Sequence, residues 1–152
     1  MLSASEFTVG TFGNAEPLSL ILPRTKYEQT VLIGTYNGAA AAVFLSGEHA
    51  FRFFESAGND SWEGLIVPNV RIEVDETTVF NPDHGDAPLG CVIRKGPLLT
   101  IRAIRDGSMG SSSTITLHDK LPFASDLRAG FKRWQIVIGD AFTKKVLWQP
   151  PI

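Results

Sequence analysis

The densest run of potentially reactive side chains in this 152-residue sequence is Asn81-Pro82-Asp83-His84-Gly85-Asp86. It sets two carboxylates and an imidazole in one loop, just after the acidic stretch that holds Glu73, Asp75 and Glu76. Hard cations such as calcium take several oxygen ligands from carboxylates and carbonyls on irregular backbone. Asp83, His84 and Asp86 are therefore the candidate metal ligands, and Ca2+ is the candidate ion. The Asp-x-Asp-x-Asp-Gly order of the common calcium loop is absent, and Asn, Pro, Asp and Gly are also ordinary turn formers. A plain turn is the simpler reading of the segment.

The other two histidines are less suggestive. His118-Asp119 has the composition of a metal-binding pair, but it closes a strand and His118 falls on the polar face, which suits a solvated strand end. His49 shares an expected strand face with Phe51 and Phe53, where a hydrogen-bonded edge imidazole is the usual arrangement. No His-Glu-x-x-His, Cys-x-x-Cys, Gly-x-Ser-x-Gly or phosphate-cradling Gly-rich loop occurs. The single cysteine, Cys91, lies in Gly90-Cys91-Val92-Ile93 and reads as a buried strand thiol. What remains for recognition is aromatic and cationic. Trp and Arg dominate interface energetics, and Trp62, Trp148, Arg52 and Arg102 are the candidate ligand-binding residues. Trp134 is assigned to the core, because it alternates with Ile136 and Ile138.

Net charge is −2, yet the two parts of the chain differ. Residues 1–86 carry 4 Lys/Arg against 12 Asp/Glu, or −8, and residues 87–152 carry 10 against 4, or +6. Such polarity suits an ionic partner or head-to-tail association if the strands segregate, and it vanishes if they interleave. Nucleic acid is not favoured as a partner, because no Lys/Arg run exceeds two residues and aromatics are not interleaved with the cations.

These side chains must be positioned by sheets. With 43% hydrophobic and 20% charged residues, the chain is apolar enough to bury a core and has the size of one domain, 1–152. No stretch approaches the roughly 20 apolar residues of a membrane helix, and the N-terminus lacks a secretory layout, so a soluble cytoplasmic protein is expected. Runs rich in Val, Ile, Thr and Phe recur about every eight to twelve residues between Gly, Pro, Asn, Asp and Ser. The strands predicted in this way are 7–12, 18–22, 30–36, 40–45, 49–54, 64–67, 70–80, 91–94, 98–105, 114–118, 133–138 and 145–148. A single helical turn is predicted at most, over Ala124–Phe131. The fold class is all-β, an antiparallel two-sheet β-sandwich (jelly-roll-like) or flattened barrel of about 10–12 short strands.

Residues 30–54 carry the most detail. Asn37-Gly38 and Ser46-Gly47 each look like two-residue hairpin turns. Pairing Tyr36 with Ala39 and Leu45 with Glu48 aligns Ile33, Ala42 and Phe51 in one row, with small alanines facing large rings. The opposite face would hold Leu32, Gly34, Ala41, Val43 and Phe54, interrupted by Arg52. Both faces are apolar, so this meander should be covered twice, within the chain or by self-association into a homo-oligomer.

The resulting functional expectation is a non-catalytic binding or assembly module contacting a protein or carbohydrate-like ligand. The alternative is a small metal-dependent enzyme or cation-binding domain whose His and Asp/Glu residues converge from separate strands. The loop hypothesis has a direct test. Calcium should raise the melting temperature of the wild type more than that of the double variant Asp83→Ala/Asp86→Ala, and equal shifts in a thermal-denaturation assay would dispose of the site.

Overall fold

The computed structural model describes residues 2, 5–11, 15–22, 30–55, 63–83, 87–107, 110, 112–121 and 128–150. Among them the chain is all-β, with fourteen strands and one 3-10 turn at Glu76–Thr78. In chain order the strands are β1 (Thr8–Thr11), β2 (Leu20–Leu22), β3 (Val31–Tyr36), β4 (Ala39–Phe44), β5 (Arg52–Glu55), β6 (Glu63–Val67), β7 (Arg71–Val74), β8 (Val79–Phe80), β9 (Val92–Lys95), β10 (Leu98–Arg105), β11 (Ser113–His118), β12 (Arg128–Phe131), β13 (Trp134–Ile138) and β14 (Lys145–Trp148). No helix among the described residues is long and apolar enough to cross a membrane.

The Asn37-Gly38 turn behaves as its chemistry dictates. Both residues take positive φ, 51° and 79°, which a tight two-residue hairpin requires and which Asn and Gly tolerate. It locks β3 to β4 in the register Tyr36↔Ala39 through Val31↔Phe44. From there β3, β4, β5, β10 and β11 close on themselves as a five-stranded barrel. An odd number of strands cannot alternate direction all the way round, so one neighbouring pair has to be parallel. That pair is β5 with β10, joined at Ile104↔Arg52 and Arg105↔Phe53.

The seam where β11 meets β3 depends on a glycine. A Cβ at Gly34 would lie 2.7 Å from both Ile115 Cγ2 and the Thr116 carbonyl oxygen, so only glycine lets the two backbones approach there. Two wings extend the barrel sheet, β2, β6 and β1 beyond β3 and β9, β12 and β8 beyond β10. A second sheet has the order β14-β13-β7. Its inward residues Trp134, Ile136 and Ile138 join Leu32, Val43, Phe53, Ile101, Ile115 and Leu117 from the barrel in one apolar core. The polar alternates Arg71, Glu73, Arg133 and Gln135 stay outside that core, as period-two patterning requires.

The outer face of the meander is apolar too. Val31, Ile33 and Ala42 are buried there with Ile21 and Ile66, and the Phe44 and Phe54 rings, 5.3 Å apart, pack against them. The expectation of a meander buried on both faces therefore holds for these residues.

Three sequence expectations need correction. Ser46-Gly47 is not a two-residue turn. The chain loops from Leu45 to Ala50, Phe51 N donates to Phe44 O, and Ala42 pairs with Phe54 rather than with Phe51. This odd-numbered slip inverts the faces of β5. The reason is electrostatic, because the simple hairpin would have turned Arg52 into the barrel, whereas the observed register puts the fully buried Phe53 there. Residues 128–131, read as part of a helical turn, form β12, and the Phe80 ring lies against Gly130 where a side chain would stand; the first part of that reading, 122–127, lies outside the described residues. Finally, 70–80 is not one strand, since Asp75 caps the 3-10 turn and breaks it.

Two substitutions test this packing by thermal denaturation. Gly34→Ala and Ala42→Phe should each destabilise the protein by about 1–3 kcal/mol through steric overlap in a filled space. An unchanged melting temperature for Gly34→Ala would mean that the barrel seam is not tight.

Candidate functional site

Strand alternation on the β9–β12 wing builds a polar, cationic surface. In β10, Leu99, Ile101 and Ala103 point into the core, so Leu98, Thr100 and Arg102 point out. The antiparallel register then aligns Arg128 with Lys95 and Lys95 with Leu98, while Gly130, Ile93 and Thr100 follow in the next row. On the other flank, Thr114 stands opposite Arg102 and Thr116 opposite Thr100. Of these, Ile93, Lys95, Leu98, Thr100, Arg102, Thr114 and Arg128 line, with Pro82 and Asp83, a cleft of about 280 Å³. Three cations, Lys95, Arg102 and Arg128, face one carboxylate, Asp83.

Arg102 is held at the point where the sheet divides. Its N–H donates to Cys91 O at 3.0 Å and its carbonyl accepts from Gly90 N at 2.9 Å. Just beyond it, β10 leaves β9 and takes β5 as its neighbour. The backbone is thus fixed while the guanidinium keeps capacity in reserve. Nη2 donates to the Ser112 hydroxyl, but Nε, although shielded from solvent, has no hydrogen-bond acceptor among the described residues. A buried donor left unsatisfied costs roughly 1–3 kcal/mol, which a fold tolerates only with compensation. Arg128 Nη1 is bound to Asp83 Oδ1 at 2.9 Å in an exposed pair.

The remaining expected site residues are dispersed. Trp148 is half-buried: its ring centroid lies 4.6 Å from that of Trp134, it meets Phe51 edge-on, and its Nε1 donates to Leu45 O at 3.2 Å. Arg52 is half-buried on β5, away from the cleft lining. Asp83 does lie in the cleft, engaged by Arg128, and its N–H donates to Asn81 Oδ1. His84, Asp86 and Trp62 lie outside the described residues.

His118 Nδ1 accepts from Lys120 N, and His49, just before β5, has its Nδ1 3.7 Å from Asp106 Oδ1. Among the described residues no group of three His, Cys, Asp or Glu side chains converges. Cys91 is buried, and desolvation pushes its thiol up to about 11 despite the nearby Arg102 charge, so it is not an activated nucleophile.

A second groove, about 340 Å³, runs along Glu73, Asp75, Arg133 and Gln149 in the second sheet. Its carboxylates are already used. Glu73 accepts from Gln135 and Lys144, and Asp75 from the Thr77 hydroxyl and N–H. These bonds hold both carboxyls below their ordinary values, and at the β13–β14 turn the Phe142 and Thr143 N–H groups do the same for Asp140.

Sequence reasoning singled out Arg102 as a ligand-binding candidate and Asp83 as a metal candidate, and it did not single out Lys95, Arg128, Thr100 and Thr114, which line the same cleft. Alternation in 92–102 would have grouped Lys95 with Arg102 had the β9–β10 pairing been known. Arg128 was hidden by the helical reading of its segment.

The chain matches the family model described as "Uncharacterised protein y4lG" over residues 9–150. It is 64% identical over 149 residues to "Uncharacterized protein y4lG" of Sinorhizobium fredii (strain NBRC 101917 / NGR234), an alignment that covers 98% of this chain and 92% of that one. No solved structure matches.

The three depressed carboxyls contribute to the acid limb of the stability curve. A folded-state value below the unfolded one contributes stability that is present above the unfolded value and lost as pH falls through the folded value. Melting temperature should therefore drop as pH is lowered from about 5 toward 3, and Asp140→Asn should flatten that limb. A profile identical to wild type would show that the Asp140 turn contributes nothing.

Proposed function

We propose that this chain, which belongs to the y4lG family, is a non-catalytic binding or assembly module. In this reading its second sheet lies against the barrel as in a β-sandwich, and its cationic cleft contacts a carbohydrate-like ligand or a protein. The observation that carries it is the cleft itself: Lys95, Arg102 and Arg128 line one cleft together with hydroxyl-bearing Thr100 and Thr114. A concave site with a few convergent polar groups is the usual form of a ligand pocket. The Asp83 and His118 contacts described above bind those groups into local structure, which weakens the metal-dependent alternative.

The segregation of charge also supports the reading. All three cleft cations come from the part of the chain that carries +6, residues 87–152. The cleft therefore concentrates an excess that interleaved strands would have dispersed, and such a field raises the encounter rate with an oppositely charged partner.

The test is a glycan and peptide array probed with the wild type and with Lys95→Gln/Arg102→Gln, with melting temperatures recorded for both. The wild type should retain at least one ligand, and the double variant should lose it by about 10–100-fold in affinity, as expected for charge-assisted hydrogen bonds. Equal retention by two equally stable proteins would exclude the cleft as the binding surface.

A further inference from the structure

We propose that the cleft recognises its ligand through an oxyanion, a phosphate, sulfate or carboxylate group on a compact molecule, and that Asp83 occupies part of this site as an internal competitor. The inference rests on the cleft being the ligand surface and goes further by naming the chemistry it takes.

The donor set is suited to an oxyanion and to little else. A guanidinium offers five N–H donors and no acceptor, and an ammonium offers three. The cleft presents two guanidinium groups and one ammonium, with threonine hydroxyls beside them and one carboxylate. Lys95 and Arg128 are cross-strand partners at one end. Arg102 lies four positions along β10 from Leu98, the residue paired with Lys95, which places their backbones about 13 Å apart. The cleft between them has a volume of about 280 Å³, the size of a sugar ring or a similar small molecule with a charged substituent. An extended macromolecule would need a longer basic track.

Two features point to a site that is prepared but unsatisfied. Arg102 has only the Ser112 hydroxyl as a described side-chain acceptor, and its Nε has none. Meanwhile Arg128 is already paired with a carboxylate, the 2.9 Å contact to Asp83. A carboxylate is the protein's own version of the proposed ligand group, so an incoming oxyanion has to displace Asp83 from Arg128 or share that guanidinium with it. Because the pair is exposed, breaking it costs little. Asp83 therefore lowers affinity, the opposite of the role it would have as a cation ligand.

The experiment is isothermal titration of the full chain with inorganic phosphate, sodium sulfate and glucose 6-phosphate at low ionic strength. Wild type, Arg102→Gln, Arg128→Gln and Asp83→Asn are compared, each checked by melting temperature. The expected result is one site per chain, binding weakened about tenfold or more in Arg102→Gln and strengthened several-fold in Asp83→Asn. Arg128→Gln serves in place of Arg102→Gln if the latter does not fold. Preference for glucose 6-phosphate over both inorganic ions would assign a phosphorylated small molecule, and equal affinities would assign a bare oxyanion site.

Absence of binding by all three probes at millimolar concentration would overturn the proposal, as would binding that Asp83→Asn weakens. If the array of the preceding section still gives a ligand that depends on Lys95 and Arg102, only the oxyanion assignment falls. If it gives none, the cleft reading falls with it.

Discussion

The molecule depends on one strand, β10, whose eight residues serve three neighbours. One edge is taken by β11, and the other by β9 for its first half and β5 at its end. Its inward residues Leu99, Ile101 and Ala103 fill the barrel, and its outward residues Thr100 and Arg102 lie in the cleft. Barrel closure and the cleft therefore share the same strand. The parallel β5–β10 contact, which an odd-stranded closure demands, also forces the sheet to divide beside Arg102. Backbone hydrogen bonds to Gly90 and Cys91 fix that division point.

The second sheet contributes by holding the Gly90 segment in place. Trp134 Nε1 donates to Gly90 O at 2.6 Å within the core, and Gly90 takes φ +82° with the Phe51 ring against it. Trp148 completes the arrangement by packing at a tilt against Trp134 and donating to Leu45 O. An indole N–H buried without a partner would be costly, and the two tryptophans instead satisfy carbonyls in loops that have no sheet partner there. Gly90 in turn donates to Arg102 O, so the aromatic cluster and the cleft are linked through one peptide segment.

Electrostatics and packing divide the work on this scaffold. The described ion pairs are largely exposed, as with Arg128–Asp83 and Arg105–Glu55, and such pairs add little stability. Arg105 is also positioned by cation–π contact with the Tyr36 and Phe53 rings, 5.4 and 5.2 Å from its guanidinium carbon. Stability comes from the continuous apolar core, and the cations of β9, β10 and β12 add little to it.

The sequence by itself determined what is local. Period-two alternation assigned the inward faces of 70–74, 114–118 and 134–138, and Asn37-Gly38 determined the β3–β4 register, because positive φ at both turn positions leaves one pairing. The outward Arg102 and the charge imbalance between 1–86 and 87–152 were equally legible. Tertiary structure decided the rest. The slip at β5 was set by which residue the barrel could bury, Phe53 rather than Arg52, and a turn dipeptide carries no information about that competition. Residues 128–131 became a strand because β8 and β9 offered them edges, although their own composition is neutral. The meeting of Asp83, Lys95, Arg102 and Arg128 follows from strand order, which is fixed by the way a closed barrel satisfies its edges and not by the spacing of residues along the chain.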